Sequence, residues 1–85
     1  MKEEKIGEVI HYFPHIPAGA IHLKGTLKVG DTIHIKGHTT DFTQVVESMQ
    51  IENTPVEEGK TGEDVGIKIK ERVRSHDIVY KVVEE

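Results

Sequence analysis

Apolar and polar residues alternate with a period of two along most of this chain. The clearest case is Asp31 to Gly37, where Ile33 and Ile35 face one way and Thr32, His34 and Lys36 the other. The same reading gives strands at Lys5 to Phe13, Ala18 to Lys24, Phe42 to Ile51, Val65 to Val73 and Ile78 to Val83. Alternation is imperfect in the first of these. It slips near Ser48-Met49 in the fourth, which predicts a bulge. Val65, Ile67 and Ile69 are expected to point inward. Pro14 and Pro17 end the first strand, because proline cannot donate to a ladder. Leu27 to Gly30 leads into a tight turn at Val29-Gly30-Asp31, and Gly62-Glu63-Asp64 feeds the next strand by the same logic. No segment sustains a 3.6-residue period, and no repeat or linker interrupts the series. The expectation is one all-β domain over residues 1–85, closed into a small barrel.

Composition narrows the possible chemistry. At 85 residues the core must be thin. Ile and Val dominate the apolar set, aromatics make up 5%, and Trp is absent, which argues against a deep aromatic pocket. Without cysteine there is no disulfide, thiolate metal site or thiol nucleophile. The start, Met1-Lys2-Glu3-Glu4-Lys5, is charged and lacks the apolar stretch of a signal peptide. No apolar run is long enough for a membrane helix, so a cytoplasmic protein with no membrane contact is expected. The net charge of −4 disfavours indiscriminate nucleic-acid binding, although a local basic stripe could outweigh it.

Several local features invite a chemical reading. Gly59-Lys60-Thr61 looks like the end of a phosphate-binding loop, but Thr54 stands where that motif needs glycine, and no helix follows. A turn is the expected role. Six histidines raise metal binding, yet His34 and His38 would lie about 13 Å apart on one strand, too far for one ion. An interstrand site with His22 remains open. His76-Asp77 and Glu57-Glu58 read as turn and loop residues. No cofactor and no catalytic residue is expected.

The feature with most functional content is a row of cations, Lys68, Lys70, Arg72 and Arg74, at every second position. If the strand runs through Arg74, all four share one outward face at spacings of about 7 Å. That roughly matches the phosphates of an extended nucleic-acid strand. The alternative is solubility and edge protection.

Taken together, Gly25-x-Leu27-x-Val29-Gly30-Asp31-x-Ile33-x-Ile35-x-Gly37, then Ser48-Met49, then Gly62-Glu63-Asp64-Val65-Gly66-Ile67, resemble the second domain of translational GTPases such as elongation factor Tu. Ile6-Gly7-Glu8-Val9-Ile10 is similar to that domain's first strand, so the likeness runs from about Ile6 to Val82. The resemblance implies a six-stranded antiparallel Greek-key barrel without the GTPase domain. The family's Glu, Arg and Asn at the aminoacyl pocket fall on Gln50, Asn53 and Asp64, three departures, while its backbone-facing Arg falls on Lys70. A similar barrel closes the C-terminus of collagenase-like peptidases that have been linked to RNA hydroxylation. The leading expectation is therefore a non-enzymatic, translation elongation factor-like protein. It would bind RNA or a ribonucleoprotein through Lys68, Lys70, Arg72 and Arg74. The alternative is a protein-docking accessory subunit, for example of a collagenase-like peptidase, using the apolar and histidine-bearing surface of Tyr12 to His22.

Overall fold

The computed structural model describes residues Lys2–Val83. Ten strands form: β1 Lys2–Phe13, β2 Ala18–Leu23, β3 Leu27–Lys28, β4 Thr32–Lys36, β5 Asp41–Val45, β6 Met49–Ile51, β7 Thr54–Val56, β8 Glu58–Gly59, β9 Asp64–Lys68 and β10 Ile78–Val83. Eight make one sheet in the order β5-β4-β10-β1-β2-β9-β6-β7, and β3 pairs with β8 in a two-stranded ribbon. Every pairing is antiparallel. The all-β expectation holds, but the closed six-stranded barrel does not. No ladder joins β5 to β7, the two ends of the sheet.

The strands nonetheless share one apolar core. Ile6, Val9, Ile21, Leu23, Leu27, Ile33, Ile35, Val46, Met49, Val65, Ile67, Ile69, Val73 and Val79 form a single buried cluster. Its members come from strands as far apart in the sheet as β4 and β6, so the sheet must curl around them. Each fully buried aliphatic side chain contributes roughly 1.5–3 kcal/mol. β2 shows the underlying pattern most clearly: Gly19, Ile21 and Leu23 are buried, while Ala18, Ala20 and His22 are half-exposed. In β1 the alternation breaks at Ile6-Gly7, both buried, where the register against β10 shifts between Lys5 and Gly7. The bulge adds a residue, and the inward face changes parity there.

Between β5 and β9 the gap is bridged by one side chain. Gln44 is buried, its amide Nε2 donates to the Lys68 carbonyl (2.7 Å), and its Oε1 accepts from the Lys70 N–H (2.9 Å). The primary amide imitates a peptide group and supplies the bonds that a neighbouring strand would make. Further along, Val46 exchanges hydrogen bonds with the Gly30 N–H and Asp31 carbonyl.

The expected fourth strand, Phe42 to Ile51, is two strands. It breaks at Val46-Glu47-Ser48, where a bulge was expected, and β6 crosses to pair with β9 and β7. β6 and β7 are joined by Glu52-Asn53, both at positive φ (50° and 65°), as a two-residue type I′ turn demands. The expected fifth strand also shortens. Its ladder stops at Lys68, and Lys70-Glu71 bends away.

Three turns are built alike. In Lys28–Asp31 and Lys60–Glu63 the last residue's N–H donates to the first residue's carbonyl, and its carboxylate accepts from the first residue's N–H. Gly30 (φ 99°) and Gly62 (φ 91°) occupy the third position, which requires positive φ. Arg74–Asp77 repeats the arrangement, with His76 (φ 77°) where the others have glycine.

Candidate functional site

A hollow of about 430 Å³ lies on the outer face of β2 and β9. Its floor is low because Ala18, Gly19 and Gly66 there are small; Ala18 stands opposite Lys68. Phe13 and Ile16, at the β1–β2 connection, rise on one side, with Gln50 and Asn53 of the β6–β7 hairpin also lining it. Phe13 is 42% exposed and Ile16 64%. An Ile that open has no folding benefit from its position, and beside a concavity it marks a surface suited to contact. Phe13 is held by its neighbour: the His11 ring meets it edge-on, centroids 4.4 Å apart. The Tyr12-to-His22 surface singled out in the sequence is therefore partly assembled, with Phe13 and Ile16 as its apolar centre.

The row of four cations does not survive as a row. Lys68 lines the hollow just described, whereas Arg72 and Arg74 line a second one, of about 380 Å³, with His11, Tyr12, Pro14 and Ser75. Lys70 lines neither. The strand ends before it can place all four on one face. Ile69 and Val73 are buried as the pattern required. That burial comes from an irregular segment tied down by the Ile69 N–H to the Pro17 carbonyl (2.9 Å), and by the Gln44 bond to Lys70.

The histidines pair with carboxylates. His34 on β4 lies between two: its Nδ1 donates to Glu3 of β1 (2.7 Å), and its Nε2 donates to Asp41 of β5. Asp41, then Glu3, raise the His34 pKa above 6.5 against a small opposing effect of burial, and His34 lowers that of Asp41 below 3.8. The ring fastens the edge strand β5 to β4 and reaches over β10 to β1. The two carboxylates sit at opposite nitrogens, so they cannot converge on one ion. Among the described residues no cluster could hold a metal. His22 meets Asp64, its cross-strand partner, at 2.6 Å. His76-Asp77 is a turn: the Asp77 carboxylate accepts from the Arg74 N–H (2.9 Å) and packs against Gly37.

Gly59 has no open loop around it. It sits in β8 opposite Leu27 and is buried among Leu23, Val65 and Met49. Lys60 and Thr61 belong to the tight turn that follows. Glu58 lies beside Lys28, with the charged groups 3.7 Å apart. Sequence reasoning missed the arginine hollow as a place, because His11 and Tyr12 meet Arg72 and Arg74 only through the fold. The one available signal was the fixed pair of prolines after Phe13, which fold the chain back beside that segment.

The fold and its outer-face hollow define a small antiparallel β domain without a phosphate loop or metal cluster among its described residues. It has the fold of the C-terminal domain of a Geobacillus thermoleovorans protein described as a U32 peptidase (TM-score 0.88, 22% identity, 94% of this chain and 93% of that one). The selenomethionine variant of that domain matches at a TM-score of 0.85, with 22% identity and 89% and 96% coverage. By sequence, the chain is 43% identical over 81 residues to an uncharacterized protease of Methanocaldococcus jannaschii, covering 94% of this chain and 20% of the protease. It is 35% identical over 78 residues to a collagenase of Porphyromonas gingivalis (89% and 22%). The chain thus spans about one fifth of the length of these curated relatives. No family model matches.

These similarities overturn the translation-factor reading. The chain is similar to part of the Methanocaldococcus protease and of the Porphyromonas collagenase, and not to the second domain of elongation factor Tu. The RNA-binding function drawn from that resemblance falls with it. The physical reason lies in the motifs. Val29-Gly30-Asp31 and Gly62-Glu63-Asp64 encode a turn with glycine in its third position and a capping carboxylate. Any fold that needs this turn will select those residues, so they specify local geometry, not ancestry.

Proposed function

We propose that this chain is an accessory domain of a collagenase-like peptidase, without reaction chemistry of its own. It docks onto the peptidase polypeptide through the hollow flanked by Phe13 and Ile16. The observation that carries this reading is the 43% identity over 81 residues to one fifth of a protease. The exposed Phe13 and Ile16 beside a floor of Ala18, Gly19 and Gly66 support it. Aromatic and aliphatic anchors at the centre of a contact give most of its affinity, and that part is insensitive to salt.

The test uses the Methanocaldococcus protease lacking the segment that matches this chain. Mixed with the chain in trans, it should form a one-to-one complex on size exclusion. Phe13→Asp/Ile16→Asp should abolish that complex while leaving the circular dichroism of the chain unchanged. If no complex forms at about 100 μM, where even a weak interface of about −5.5 kcal/mol would be half-occupied, the proposal fails.

A further inference from the structure

The sequence contains two arginines, Arg72 and Arg74, and the fold puts both beside the same hollow. We propose that this hollow is a carboxylate-binding site that takes an acidic side chain of the polypeptide on which the domain docks; it rests on the docking reading above. Three observations carry it. Neither arginine has a carboxylate within ion-pair distance among the described residues, a state they share with most of the lysines, of which only Lys28 and Lys81 are so paired. What sets the two arginines apart is that both line one concavity, where their charges add. The segment that bears them is held in place. Val73 between them is buried, the Arg74 N–H is capped by Asp77, and the His76 N–H donates to the Val9 carbonyl (2.7 Å). Arg72 and Arg74 therefore lie either side of a buried residue and project together, while His11 and Tyr12 supply the opposite wall.

Guanidinium forks match the two oxygens of a carboxylate, and a fixed backbone reduces the ordering cost of binding. Ser75 is already engaged, its hydroxyl donating to the Ile10 carbonyl (3.1 Å), so the arginines are the principal donors. A polyphosphate track is disfavoured, because the bend after Lys68 separates Lys68 from the arginines and leaves one compact positive site. The β1–β2 connection lies between the two hollows: Pro14 lines the arginine site and Ile16 the apolar one. A docked polypeptide that fills the apolar hollow can place an acidic residue on the arginines.

The experiment titrates the isolated chain with an acetylated tri-aspartate peptide, followed by NMR of the arginine side-chain N–H groups and the His11 and Tyr12 amides. Sodium chloride at matched ionic strength, inorganic phosphate and a short oligonucleotide serve as comparison arms. The expected result is a saturable shift with the peptide that weakens about tenfold or more in Arg72→Gln/Arg74→Gln and is unchanged in Lys68→Gln. A response equal to that of chloride, survival of the shift in the double variant, or tighter binding of phosphate or the oligonucleotide would each overturn the site. Because no peptidase is present, failure here is separate from failure of docking. Docking can fail in the trans-complex assay while the peptide still binds.

Discussion

Replacing Gln44 by Leu tests whether one amide holds the open side of the sheet together. The variant keeps a branched side chain one bond shorter, with the apolar contacts of its stem, but removes both hydrogen bonds. The Lys68 carbonyl and the Lys70 N–H are then left without their partner. Each unsatisfied buried backbone group costs about 1–3 kcal/mol, and an added buried methyl group returns about 1 kcal/mol. The net loss is about 1–5 kcal/mol. A domain of this size has a total stability of about 4–13 kcal/mol, so the effect is large. Urea unfolding followed by far-ultraviolet circular dichroism should show the midpoint fall by about 1 M or more, given a slope of about 1 kcal/mol per molar. Amide exchange gives the local reading: the Lys70 N–H should lose protection while the β1–β2 ladder keeps most of its own. Gln44→Glu adds a second check. Its carboxylate can accept from Lys70 but repels the Lys68 carbonyl, so it should be destabilised at pH 7 and recover near pH 4, where the protonated acid can donate. A Gln44→Leu variant within about 0.5 kcal/mol of the parent, or unchanged Lys70 exchange, would refute the reasoning.

Other consequences follow from single contacts. His34 has a folded pKa above 6.5, so its contribution is complete below pH 6.5 and is lost as pH rises through the raised value. Asp41 has a folded pKa below 3.8, so its contribution is complete above pH 3.8 and is lost as pH falls through the lowered value. The melting temperature should therefore be highest between those limits and decline above them, and His34→Gln should remove the alkaline part of that slope in a pH series of thermal melts. His76→Gly relieves a positive φ and should raise the melting temperature by about 2–6 °C in calorimetry, whereas His76→Val should lower it. Gly59→Ala places a methyl 2.6 Å from Leu23 Cδ1 and 2.8 Å from Val65 Cγ1. Overpacking of this kind should cost about 1–3 kcal/mol in a urea titration.

The local structure was largely written into the chain. Ile33, Ile35, Val65, Ile67 and Ile69 are buried where period-two alternation places them, because a pleated strand can bury only every second side chain. Gly30 and Gly62 mark their turns because the third position needs positive φ. His76-Asp77 also read as turn residues and do form one, but its likeness to the two glycine turns was not visible, because His76 takes the third position at a cost in strain. Alternation stays silent where partners change. Phe42 to Ile51 reads as one strand, yet Val46 turns aside to bond Gly30 and Asp31, and β6 joins another part of the sheet.

Closure, likewise, could not be inferred from pattern. It depends on whether the edge strands β5 and β7 pair; no ladder joins them, and a glutamine amide on β5 instead bonds the chain at the end of β9. The cation row failed for the same reason: spacing of two gives a common face only while the strand lasts, and the ladder stops at Lys68. What the sequence determined by itself is the all-β character, the glycine turns and the inward face, since each depends on neighbours within a few residues. What only the tertiary structure decided is which distant residues share a surface. That places Phe13 and Ile16 over the small residues of β2 and β9, and His11 and Tyr12 against the two arginines, because those meetings depend on how the sheet curls around its core.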